Sequence, residues 1–163
     1  MNRKYTKQEY YDNIMKIKEA RPDINLTTDV IVGFPGEDEE DFLECIDYCK
    51  KIGFSKIHVF PFSVREGTKA ATMPNQLSNE LKKQRARELI KIDNDLQLEY
   101  NKLFVDKKVK VLVEEVSKDS SIGHTANFLK VYVDRNLEEN KEYDVLVKKA
   151  YIDHVDALLI ENK

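Results

Sequence analysis

Cysteine is nearly absent from this sequence. There are two in 163 residues, both inside the stretch ECIDYCKKIGF at 44–54. Two cysteines make no disulfide framework. No apolar run approaches the roughly 18–20 residues that span a bilayer, so no membrane helix is expected. No basic segment leads into an apolar core, so no signal peptide is expected either, and a reducing cytoplasm is the natural setting. Positive charge is not in excess: 27 Lys and Arg stand against 30 Asp and Glu, a net charge of −3. Composition therefore gives no support to nucleic-acid binding, and any such surface must be local. There is no internal repeat and no low-complexity tract. The length fits one domain or two small ones.

Residues 6–20 predict a helix, with Tyr10, Ile14 and Ile17 on one face and Thr6 with Glu9 as a capping box. Arg21-Pro22-Asp23 ends it. INLTTDVIVGF (24–34) predicts a strand whose run Val30-Ile31-Val32 suggests cover on both faces. Pro35-Gly36 turns the chain. Asp38, with Asp41 near the third helical position, caps a helix over 39–52, and Gly53 closes it. SKIHVFPFS (55–63) predicts a second strand. VREGTKAATMPNQ (64–76) is a turn-rich loop. A long helix follows from about Ser78 to Leu103. Helix, strand, helix, strand, helix is the order of an α/β fold with parallel strands.

After Phe104 the pattern changes. VKVLVEEV (109–116), NFLKVYV (127–133), EYDVLVKKAY (142–151) and VDALLIE (155–161) are short runs separated by polar turns. They predict a small antiparallel β-barrel or sandwich, with a domain boundary near residue 101.

Four stretches carry candidate chemistry. In TTDVIVGFPGE (27–37), Gly33 and Gly36 would let backbone approach a ligand at a strand end. A plain strand-to-helix turn accounts for the same residues, and neither a P-loop nor G-x-G-x-x-G is present. In HVFPFSVREGTKA (58–70), Arg65 lies just past a strand end, where its fork could hold a carboxylate. The bland alternative is a surface arginine. Lys82, Lys83, Arg85, Arg87 and Lys91 form a basic cluster whose simpler reading is a solvated helix face. In the second half, His124 falls in a turn and Phe128 stands between Asn127 and Lys130. That set could stack on and contact RNA, or Phe128 could be a core residue of a barrel strand.

Taken together, MNRKYT (1–6), TTDVIVGFPGE (27–37), HVFPFSVREGTKAA (58–71) and GHTANFLKVYV (123–133) resemble the radical S-adenosylmethionine methylthiotransferases, in the family's order. The resemblance implies the end of a radical-SAM barrel over residues 1–100 and a TRAM domain, an OB-like barrel that holds RNA, over 101–163. The pattern G-x-T-x-N-F/Y-x-x-V at 123–131 is most similar to the subgroup acting on N6-threonylcarbamoyladenosine beside the tRNA anticodon. The alternatives are the isopentenyladenosine and ribosomal-protein branches, or a free-standing RNA-binding protein. Phe62 and Phe128 stand where Tyr is usual, and Asn140-Lys141 replaces a usual glycine turn.

The family's cofactors are S-adenosylmethionine and two [4Fe–4S] clusters. The resemblance implies that Ile31 and Gly33 flank the cofactor's adenine and that Arg3 and Arg65 contact cofactor or substrate. It also implies that His124, Asn127, Phe128 and Lys130 meet the anticodon stem–loop. No catalytic or metal-ligating residue is expected here. The radical cluster needs C-x-x-x-C-x-x-C, whereas this chain has Cys45-x-x-x-Cys49-x-x-Ile52 on a predicted helix, too few thiolates and in the wrong place. Both cysteines fall on the apolar stripe Phe42, Cys45, Ile46, Cys49, Ile52 and are expected to pack as small hydrophobes. The chain is expected to be a C-terminal fragment, inactive alone, whose severed sheet edge invites self-association.

Overall fold

The computed structural model describes residues 4–161. Helix α1 (Lys7–Ala20) starts at the expected box, where Thr6 Oγ1 accepts the Glu9 N–H and Glu9 accepts the Thr6 N–H. Its stripe is shallower than the periodicity suggests: none of its residues is buried.

The chain divides into two compact units, residues 26–96 and residues 1–25 with 97–163. In the first, β1 (Thr27–Val32) and β2 (Lys56–Pro61) pair in parallel, Asp29 opposite His58 and Ile31 opposite Phe60. Helix α2 (Glu39–Ile52) lies between them in sequence. Asp38 and Asp41 cap each other's backbone N–H at its start. Gly53 ends it at φ 67°, its N–H donating to the Cys49 carbonyl. A short 3-10 turn (Lys69–Thr72) interrupts the loop after β2. Helix α3 (Asn79–Lys102) begins in this unit and ends in the other. Its Asp93 carboxylate accepts from the Ile57 N–H and from Lys56 Nζ, both at 2.6 Å, which ties α3 to β2.

The expected double cover of the first strand is not found. β1 alternates, with Val32 buried and Ile31 38% exposed, and Phe60 opposite is also exposed. Thr27, Asp29, Ile31, His58 and Phe60, which share one face of this two-stranded sheet, are exposed. The basic cluster on α3 also departs from the solvated reading: Lys82 and Arg85 are buried.

The second unit holds β3 (Lys108–Val116), β4 (Ser121–His124), β5 (Lys130–Val133), β6 (Glu142–Ala150) and β7 (Val155–Leu159). They close into a barrel in the order β3-β4-β5-β7-β6. The β5–β7 pair is parallel and the other four are antiparallel, so the all-antiparallel expectation needs that one correction. The interior is aliphatic, with Val111, Val113, Val131, Val145, Val147 and Val155 fully enclosed. Alternate residues of each strand supply this core, as the pleat requires. At the Asn140-Lys141 turn, Asn140 takes the left-handed conformation at φ 62°. Asparagine tolerates that region better than most residues.

Candidate functional site

The predicted site residues fall into two groups, one in each unit. In residues 26–96, Val32 is the last residue of β1 and Gly33 follows at φ 73°. A Cβ at Gly33 would sit 2.5 Å from Lys82 Cγ, so both conformation and space demand glycine. The Gly33 N–H donates to Glu37 Oε1 at 2.9 Å. The same oxygen accepts from Arg85 Nη1 at 2.7 Å, and Arg85 Nη2 lies 3.1 Å from Glu39 Oε2. Arg85 also stacks over the Phe42 ring, and its Nε is buried without a partner among the described residues. Glu37 therefore closes the turn on itself and locks it to α3.

Ile31 lies on the open face of the sheet beside Phe60. Arg65 is exposed in the loop after β2, where its carbonyl accepts from the N–H and hydroxyl of Thr68. Arg3 lies outside the described residues. The cysteines share one turn of α2. Cys49 is buried and Cys45 half-buried. The thiol–thiol hydrogen bond holds the Cys45 thiol below its ordinary pKa and, with burial, pushes that of Cys49 up. Among the described residues, no group of three His, Cys, Asp or Glu side chains is placed to hold a metal ion.

The other group is gathered by the β4–β5 connection. His124 ends β4, rather than lying in a turn, and is paired across the ladder with Lys130 at the start of β5. Asn127 and Phe128 lie between them. His124 Nδ1 is 2.7 Å from Glu114 Oε2, and Lys130 Nζ stands 5.3 Å over the Tyr132 ring. Phe128 is not a core strand residue: it is 77% exposed, at φ 60° in the turn. Asn127 faces inward. Its Nδ2 donates to the Asp23 carbonyl at 2.9 Å and to the Tyr100 hydroxyl at 3.2 Å.

Sequence reasoning missed β4, Glu37 and Tyr100, and it read Arg85 only as part of a basic helix face. Gly123 was the available signal for β4, because a Cβ there would lie 1.9 Å from the Leu112 carbonyl oxygen. Only glycine lets β3 and β4 approach this closely.

No family model matches the chain. Several curated proteins do. A tRNA-2-methylthio-N(6)-dimethylallyladenosine synthase of Acetivibrio thermocellus is 51% identical over 118 residues, 72% of this chain and 25% of the relative. The synthase of the same name from Caldicellulosiruptor saccharolyticus is 43% identical over 122 residues, 75% of this chain and 26% of the relative. A threonylcarbamoyladenosine tRNA methylthiotransferase of Bacillus subtilis is 40% identical over 136 residues, 80% of this chain and 30% of the relative. The chain thus spans about a quarter of the length of the curated relatives it matches. Over that span it is a relative of the tRNA methylthiotransferases.

Proposed function

We propose that this chain is the carboxyl-terminal portion of a cytoplasmic tRNA methylthiotransferase. In this reading residues 1–100 complete a radical-SAM core, and residues 101–163 are a TRAM-type barrel that holds the anticodon stem–loop. The observation that carries it is 51% identity over 72% of the chain to a protein named for tRNA methylthiolation. The closed barrel and the exposed ring on its β4–β5 turn support the RNA-holding part.

The methylthiolated base is N6-threonylcarbamoyladenosine. Support comes from the pattern Gly123-x-Thr125-x-Asn127-Phe128-x-x-Val131, which is most similar to the subgroup acting on that base, and from the Bacillus subtilis relative's name. A second reading, N6-dimethylallyladenosine, is favoured by the names of the Acetivibrio and Caldicellulosiruptor relatives.

Ile31 and Gly33 would flank the adenine of S-adenosylmethionine and Arg65 would meet its charged end or the substrate. Arg3 belongs to the same proposal. Exposed Ile31 lies at the end of a parallel strand, the part of an α/β fold where ligands bind, beside the glycine turn that Glu37 holds. The cysteines do not fit an iron–sulfur cluster: there are two, both free thiols on one helix, with Cys49 buried. The chain alone is accordingly read as inactive, with the clusters supplied by the rest of the enzyme. Free of that remainder, the unpaired edge of its two-stranded sheet would favour self-association.

Mass spectrometry of tRNA nucleosides tests this in cells whose gene for this chain is disrupted. Loss of 2-methylthio-N6-threonylcarbamoyladenosine is the expected result. Loss of the dimethylallyl form instead selects the second reading, and an unchanged profile overturns both.

A further inference from the structure

Phe128 carries two costs. A bulky residue at φ 60° is strained. A ring 77% exposed gains little from burial. The fold nevertheless holds it in place from several directions. Thr125 N–H donates to the Leu129 carbonyl at 3.0 Å and Phe128 N–H to the Thr125 carbonyl at 2.9 Å, closing the turn. The Thr125 hydroxyl accepts from the Leu129 N–H at 3.1 Å and donates to Asn127 Oδ1 at 2.5 Å. Asn127 Nδ2 then reaches the Asp23 carbonyl and the Tyr100 hydroxyl, and Tyr100 itself donates to Asp23 at 3.0 Å. Both polar atoms of the Asn127 side chain are thus occupied inward.

We infer that Phe128 is a stacking platform for an unpaired RNA base, and that Asn127, Thr125 and Tyr100 are positioning residues that aim it rather than RNA contacts. This rests on the proposed RNA-holding role of the barrel. The ring is flat and exposed, and its chain neighbours Ala126, Asn127 and Lys130 are small or polar. A protein partner generally needs a contiguous apolar area, whereas one base matches one ring. Lys130, in register with His124, supplies a cation on the same connection for the adjoining phosphate.

The test uses the full 163-residue chain and an RNA hairpin of anticodon-loop length with 2-aminopurine in its unpaired loop. Affinity is read by anisotropy and stacking by quenching of the 2-aminopurine at saturation. Wild type and Phe128→Tyr should bind and quench alike. Phe128→Leu should bind about ten-fold or more weakly and lose the quenching, with a melting temperature no lower than wild type. Asn127→Ala and Tyr100→Phe should lower the quenching at saturation, because a mis-aimed ring stacks poorly even when bound. A lost phosphate or base-edge contact would instead reduce affinity and leave that amplitude intact, which overturns the positioning role. Quenching unchanged in Phe128→Leu overturns the platform while the RNA-holding reading stands. No binding by wild type overturns both.

Discussion

Arg85 places Nη1 2.7 Å from Glu37 Oε1 and 3.0 Å from the Glu37 carbonyl oxygen, with only 3% of its side chain exposed. A guanidinium so enclosed is tolerable because Glu37 answers it, and Glu37 in turn holds the Gly33 N–H. Removing one partner of a buried pair leaves an uncompensated charge and costs about 3–5 kcal/mol. Glu37→Ala is expected to fall at the lower end of that range, since the Glu37 side chain keeps 16% exposure. Glu39→Ala, removing a carboxylate exposed to solvent, should cost less than about 1 kcal/mol. Urea denaturation of the two variants checks the contrast.

Gly33→Ala meets two obstacles, a left-handed backbone and Lys82 Cγ at 2.5 Å. It should destabilise by about 1–3 kcal/mol. Lys82→Ala in the same chain should relieve the steric part and leave the backbone part. A double-mutant cycle by denaturant unfolding would show this as a coupling of the two substitutions.

Gly123→Ala has no such relief, because the obstructing atom is the Leu112 carbonyl oxygen in the backbone of β3. β3 and β4 must separate to admit the methyl. The expected outcome is loss of protection from hydrogen exchange in β3 and β4 before β6 and β7.

Tyr100 gives the barrel unit a signature at high pH. Burial, and after it the nearby Asp23 carboxylate, pushes its hydroxyl up from 10.0 to about 12. Below pH 10 both folded and unfolded chains keep this proton, and its contribution is fully present. Between 10 and 12 the unfolded chain releases it while the folded chain does not, so stability falls as pH rises through that window. In Tyr100→Phe the fall between pH 10 and 12 should be shallower, as read from melting temperatures across the window.

Cys45 and Cys49 should differ in reactivity although they lie one helical turn apart. Cys45 is half-buried with its thiol lowered by the bond to Cys49, whose own thiol is buried and raised. The thiolate is the reactive form. A thiol reagent should modify Cys45 in the native chain and Cys49 only after unfolding, as peptide mass mapping would reveal.

The local signals in this sequence were legible, and the long-range ones were not. Thr6 with Glu9, Asp38 with Asp41, and Gly53 mark helix ends through bonds to residues three or four positions away. The barrel strands show in alternating valines. Lys82 and Arg85 read as solvent-facing because the partner that buries Arg85 is 48 residues distant. β4 is four residues with a glycine inside, which hides it from any strand pattern. Ile31 sits in an apolar run that suggests cover on both faces, yet its face of the two-stranded sheet is open. Phe128 heads an apolar run too, and its exposure comes from a turn fixed by Asp23 and Tyr100, far off in sequence.

The central proposal is that this chain holds the anticodon arm of a tRNA. The most direct measurement is the affinity of the 163-residue chain for an anticodon stem–loop RNA, taken across a series of salt concentrations. The account predicts micromolar or tighter binding that weakens with salt and is lost in part with Lys130→Ala, since phosphate contacts release counterions. Binding no tighter than to an unrelated duplex of equal length, or no binding at low salt, would contradict it.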